Sequence, residues 1–167
     1  MNNKFEKRFL RVLFILTLSG LPFLLRKPPV KDSILTFLLN GYTNGIVDRF
    51  VITHKLIKYP VRYFWKEFKI HVLFDFLLYP TVSVIINKLT KNDKPLVIIY
   101  KIILFIFPMF LIELWAEKKT NLIRWRRPWK WYHTLLSLTV KSVLNRLMIG
   151  AIRALDEKVE KSSWFMK

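Results

Sequence analysis

From Leu96 to Trp115 the chain offers an apolar run in which only Lys101 and Glu113 carry charge. At about 1.5 Å of rise per helical residue, a run of this length matches the roughly 30 Å hydrocarbon thickness of a bilayer. A run this long and apolar exceeds what a soluble domain of ordinary size hides in its core. It predicts a membrane-spanning helix, and the rest of the sequence is read from that anchor.

Three further segments share the pattern. A basic stub holding Lys4, Lys7, Arg8 and Arg11 leads into an apolar stretch ending at Leu25, giving a span over about 9–25. The stub and apolar centre resemble a signal peptide, but Arg26-Lys27-Pro28-Pro29 follows without a small-x-small cleavage pattern, so the segment reads as uncleaved. Pro22 is placed to kink it. A second span covers about 34–53 and a third about 70–87, each interrupted by polar residues.

A fifth segment, 134–155, differs in kind. Leu136, Val140, Val143, Leu144, Leu147, Met148, Ala151 and Leu155 fall on one helical face, and Lys141, Ser142, Asn145, Arg146, Arg153 and Asp156 on the other. That division predicts an amphipathic helix lying in the membrane interface, with a fifth span as the alternative. The expected fold is all-α. It is one membrane domain over 1–167, an integral membrane helical bundle of four spans, or five, plus the C-terminal amphipathic helix.

The net charge of +18 raises a nucleic-acid binder as a rival. The cations, however, alternate with apolar runs and stand beside Trp and Tyr, as loops and aromatic belts do at a bilayer surface. Anionic lipid headgroups are therefore the expected partner rather than nucleic acid. Two stretches mix cations and aromatics most densely. One holds Lys58, Arg62 and Lys66; the other holds Arg124, Arg126, Arg127, Trp129, Lys130 and Trp131. Both read as interfacial collars that anchor the chain, or that recognise a headgroup.

Lys and Arg counts set the orientation. With four spans and a cytoplasmic N-terminus, 21 cations lie inside and 6 outside; a fifth crossing changes this to 15 against 10. Both arrangements place the N-terminus on the cytoplasmic side, and the positive-inside rule prefers the first.

Asn40, Asn44 and Asp48 recur every fourth residue and share a face of the second segment, next to Gly41 and Gly45. Amides at a small-residue face usually hydrogen-bond between packed helices. His71, Asp75 and Tyr79 repeat the stripe on the third segment, with Glu67 one turn earlier. Asp48, Arg49, His71, Asp75 and Glu113 all fall toward the cytoplasmic ends of their segments. Arg49 is the expected counter-ion for Asp75 or Glu113, because ions in lipid must pair or neutralise. The cluster reads as a structural ion-pair network, with a proton or cation relay as the sharper alternative.

No catalytic arrangement, metal-ligand spacing, phosphate loop or nucleophile elbow is present, and there is no cysteine. A non-enzymatic protein with no cofactor is expected.

The sequence resembles a family of small multi-spanning membrane proteins of endospore-forming bacteria. The resemblance rests on Arg26-Lys27-Pro28-Pro29-Val30-Lys31-Asp32, Asn40-Gly41 with Asn44, Lys58-Tyr59-Pro60-Val61-Arg62 and His71-Val72-Leu73-Phe74-Asp75. It continues through Leu78-Tyr79-Pro80, Lys94-Pro95, Pro108-Met109, Ile112-Glu113-Leu114-Trp115-Ala116, Lys119-Thr120 and Trp129-Lys130-Trp131-Tyr132-His133. It covers about residues 21–153, and Ser33 stands where the pattern leads one to expect Trp. It implies a bacterial cytoplasmic membrane and a link to sporulation, with no catalytic residue to carry over. A scaffold or accessory protein working through lipids, a protein partner or a homo-oligomer is the expected function. A small oligomeric transporter or ion-conducting bundle is the alternative.

Overall fold

The computed structural model describes residues 3–64 and 67–164. Five α-helices follow in order: α1 (Lys4–Arg26), α2 (Val30–Thr53), α3 (Tyr79–Leu89), α4 (Pro95–Lys119) and α5 (Trp131–Trp164). A π turn, Phe74–Leu78, feeds directly into α3. Two short strands, β1 (Ile57–Lys58) and β2 (Arg124–Trp125), complete the elements.

Four helices follow the expected segments with longer ends, whereas α3 starts well inside the expected 70–87. α1 starts within the basic stub and continues through Pro22. α4 begins on Pro95, whose missing N–H costs nothing at a first helical turn, and continues through Pro108. Among the described residues three helices are long and apolar enough to cross a membrane: Lys4–Arg26, Pro95–Lys119 and Trp131–Val159. The expected spans at 34–53 and 70–87 are not among them. α2 has the length but is diluted by Asn40, Asn44 and Asp48, and α3 has only 11 residues beyond its π turn.

α2 packs against α1, the π turn, α3 and α5, while α4 packs against α3 and α5. The chain ends of successive helices alternate. Lys88, at the end of α3, donates to the carbonyls of Leu24 and Lys27, at the end of α1. Arg153 directs two N–H groups at Asp32 Oδ2, at the start of α2, with distances of 2.6 and 2.8 Å. Arg146 donates to the hydroxyl and carbonyl of Thr90, in the turn before α4. At the opposite end Glu6 Oε1 accepts the Asn121 N–H. The end of α1, the start of α2 and the turn between α3 and α4 thus gather beside α5, and the start of α1 meets the end of α4.

Two apolar clusters hold this arrangement. One joins Leu10, Val51, Leu73, Ala116, Leu122 and Ile123 at the end that carries β1 and β2. The other joins Ile86, Ile102, Ile106, Phe110 and Leu138 across α3, α4 and α5.

The outward faces are apolar. On α5, Leu136, Val140, Leu144, Leu147, Met148 and Leu155 are exposed, whereas Thr134, Leu138, Asn145 and Ile149 are buried. Lys141 and Arg146 turn toward α2 and α3 instead of outward. This corrects the picture of a surface helix that directs its cations at headgroups. Amphipathicity locates two faces but does not say which one meets the protein.

Gly41 and Gly45 face the π turn and α3. A Cβ on Gly41 would meet Phe76 and Pro80 at ordinary contact distances of 3.5 and 3.6 Å, but one on Gly45 would meet the Phe76 ring at 2.6 Å. Gly45→Val should therefore destabilise the protein by about 1–3 kcal/mol through overpacking. Gly20→Ala, with nothing within 4 Å, should leave stability unchanged or raise it slightly. Thermal unfolding of the two variants in the same detergent checks the difference.

Candidate functional site

The polar residues of four helices meet between the two apolar clusters. On the helix that includes the π turn, Asp75 and Tyr79 fall between Leu73 of one cluster and Ile86 of the other. On α4, Glu113 falls between Ala116 and Phe110. Asn40, Asn44 and Asp48 bring the inner face of α2 to the same level, and Thr134 and Lys141 that of α5.

Asn44 ties this layer together. Its Nδ2 donates to Asn40 Oδ1 at 2.7 Å and to the Asp75 carbonyl at 3.4 Å, while its Oδ1 accepts Lys141 Nζ at 2.9 Å. The Lys141 ammonium also sits 5.3 Å from the centroid of the Tyr79 ring, a cation–π distance. It lies within electrostatic reach of Asp75, Glu113 and Asp48.

Asp48 accepts the Tyr59 hydroxyl at 2.7 Å and the His71 backbone N–H at 3.2 Å. It thereby pins the loop after α2 and the approach to the π turn. Burial, reinforced by the neighbouring Asp48 carboxylate, holds the Tyr59 phenol well above its ordinary pKa. The hydroxyl therefore remains a donor to Asp48 throughout the physiological range.

Glu113 is held from both sides. Thr134 Oγ1 donates to its Oε1 at 3.2 Å and Tyr79 OH to its Oε2 at 3.4 Å. The Trp129 indole N–H in turn donates to Thr134 Oγ1 at 2.9 Å. A chain of donors thus runs from Trp129 through Thr134 to Glu113.

Beside this layer lies a cavity of about 80 Å³, with room for several water molecules at about 10–15 Å³ each. Its walls are largely apolar, including Phe9, Met109 and Ile112, but His71, Asp75, Tyr79 and Glu113 also reach it. Asp75 and His71 are 5% and 2% exposed. Asp75 Oδ2 and both His71 ring nitrogens form no hydrogen bond among the described residues. The His71 ring instead packs edge-on to Phe74 and Tyr59, with centroids 4.4 and 5.4 Å away. Among the described residues no group of His, Asp and Glu converges to hold a metal ion.

The structure thus brings Asn40, Asn44, Asp48, His71, Asp75 and Glu113 together and leaves Arg49 out. Arg49 is exposed and forms no ion pair among the described residues. It follows Asp48 by one residue and so points about 100° away around the helix. The cation that turns into the cluster is Lys141, which donates to Asn44 rather than to a carboxylate.

Lys141, Tyr59 and Thr134 were not expected in the cluster. For α5 a signal was available: Thr134, Leu138, Lys141, Asn145 and Ile149 recur at helical spacing and mark its inner stripe. Asn145 Oδ1 accepts Asn87 Nδ2 at 3.2 Å further along the same stripe.

The collar residues separate. Lys58, Arg124, Arg126, Arg127, Lys130 and Trp131 are exposed. Arg62 is half-buried and donates to the Tyr59 carbonyl, and Trp129 packs inward against the first apolar cluster. Lys66 lies outside the described residues.

Comparison with protein-family models, curated proteins and solved structures yields no match to this chain.

Removing the Lys141 ammonium strands Asn44 Oδ1 and takes a cation from the neighbourhood of Asp75, Glu113 and Asp48. Lys141→Met should lower stability by about 1–3 kcal/mol, the usual cost of leaving a buried hydrogen-bond acceptor without its donor. Adding Asp75→Asn should recover part of that loss. Thermal unfolding of the two single variants and the double variant measures the coupling, and strict additivity would show that the two side chains act independently.

Proposed function

We propose that this chain is a non-enzymatic, multi-spanning protein of a bacterial cytoplasmic membrane, with its N-terminus in the cytoplasm. It serves as a scaffold or accessory protein through anionic lipids and a protein partner or second copy. The observation that carries the membrane reading is α5, whose apolar residues face out while Lys141, Asn145 and Arg146 face other helices. In water that arrangement would be inverted; in hydrocarbon it is the stable one.

All five helices then cross the bilayer, α3 by means of its π turn, and the chain ends outside. The excess of 15 cations over 10 keeps the N-terminal end cytoplasmic. The resemblance noted above adds an expected link to sporulation. A scaffold role accords with an interior in which side-chain hydrogen bonds tie α5 to α2, α3 and α4.

The chain has no cysteine, so engineered single cysteines report topology directly. A probe that cannot cross membranes should label Asn92→Cys and Glu157→Cys from outside and miss Arg126→Cys. Protection at position 157 would return α5 to the cytoplasmic face. Gentle detergent extraction should then retain a defined protein partner or a homo-oligomer.

The cavity favours a second reading, a proton or cation relay. Asp75 Oδ2 and the His71 ring nitrogens are buried polar groups without hydrogen bonds among the described residues, beside a space that admits water, and such groups in a membrane commonly mark ion paths. In proteoliposomes under a potential, the relay predicts proton or cation flux above that of protein-free vesicles. Asp75→Asn and Glu113→Gln would each reduce it by at least about tenfold, the scale on which proton-transfer groups act. Flux no greater than that of empty vesicles would remove this reading.

A further inference from the structure

The chain leaves α2 through a Schellman turn. Lys55, at φ 58°, is its left-handed residue. The Leu56 N–H bonds to the Val51 carbonyl and the Lys55 N–H to that of Ile52. The turn delivers β1 to β2, pairing Ile57 with Trp125 and Lys58 with Arg124 in an antiparallel ribbon. Flanking bonds extend it: Arg126 N–H to the Leu56 carbonyl and Val61 N–H to that of Asn121.

This ribbon joins the two collars and opens a groove of about 430 Å³ between Lys58, Arg124, Arg126, Trp125 and the amides Asn3 and Asn121. The volume falls within the range of about 300–1,000 Å³ usual for ligand sites. Among the described residues no carboxylate forms an ion pair with any of the three cations. Arg124 Nη2 is aligned by Asn121 Oδ1 at 2.7 Å, and Glu6 turns its carboxylate to the Asn121 backbone. Three cations from two distant segments thus share one concave surface without internal neutralisation.

We propose that this groove is a binding site for the phosphate headgroup of an anionic membrane lipid. The assignment rests on the membrane reading above and deepens it, because the groove lies at the end that reading places in the cytoplasm, where the leaflet is anionic. Arg supplies planar N–H donors matched to phosphate oxygens, Lys58 adds a mobile charge, and Trp125 lines the same wall where an interfacial ring is favoured. The amides of Asn3 and Asn121 offer hydrogen bonds to the polar part of the headgroup.

The test uses the full chain in an uncharged mild detergent, with lipid binding read by native mass spectrometry. The probes are phosphatidylglycerol, phosphatidylcholine of matched acyl chains, and inorganic phosphate. Phosphatidylglycerol should bind preferentially. Lys58→Gln and Arg126→Gln should each weaken it by about fivefold, the worth of one basic residue near an anionic surface. Neither side chain donates a hydrogen bond among the described residues, so both variants should melt as the parent does. Arg127→Gln and Lys130→Gln remove the same charge outside the groove and should change binding by less than about twofold on the same scale. Equal losses in all four variants would show a diffuse cationic surface and overturn the site. Equal binding of the two lipids, or displacement of phosphatidylglycerol by inorganic phosphate, would overturn the assignment to an anionic lipid. Failure of the membrane reading itself would look different: the chain would remain folded and soluble without detergent.

Discussion

The inward-turned Lys141 ammonium, held by Asn44 and set over the Tyr79 ring, fixes which face of α5 meets α2 and α3. Lys141 on α5 can be satisfied only where Asn44 of α2, the Tyr79 ring of α3 and the acids Asp48, Asp75 and Glu113 meet. In water, burying apolar faces would choose which side of each helix turns inward. In hydrocarbon that preference vanishes, because lipid tails are as apolar as leucine. The rotation of each helix is then set by polar groups that must find partners. Asn44, Asn87, Asn145, Thr134 and Arg146 serve in the same way along the remaining length.

The two ends of the molecule are built differently. At one end the connections are short, and Arg153 with Asp32 and Arg146 with Thr90 tie α5 to its neighbours. At the other, the longer connections pair through β1 and β2 and cover the first apolar cluster. The interior acids, the small cavity and the cationic groove all lie toward this second end. The proposed lipid site and the polar layer are joined through the chain itself: Trp125 lines the groove, and Trp129 just beyond it holds Thr134 against Glu113.

The candidate site was partly legible in the residue order. Asn40, Asn44 and Asp48 recur every fourth residue, as do His71, Asp75 and Tyr79, so each stripe follows from helical periodicity alone. Their meeting was expected from the cost of stranding polar groups in an apolar medium. Arg49 was misjudged because a complementary charge is visible in sequence while its direction is not; one residue after Asp48, it points away. Tyr59 escaped notice because the distance from a loop residue to Asp48 depends on the turn that Lys55 makes.

By itself, then, the sequence determined that long apolar helices alternate with basic, aromatic connections, that polar stripes interrupt them, and, to within about five residues, where α1, α2 and α4 begin and end. Those properties follow from local spacing and composition. The tertiary structure decided that α5 turns its cations inward, that Lys141 rather than Arg49 enters the polar cluster, and that two collars 66 residues apart in register, Lys58 and Arg124, form one groove. Each depends on which face of one segment meets another. Periodicity names the faces of a helix, but only the partner on the far side, and the hydrogen bonds it offers, selects between them.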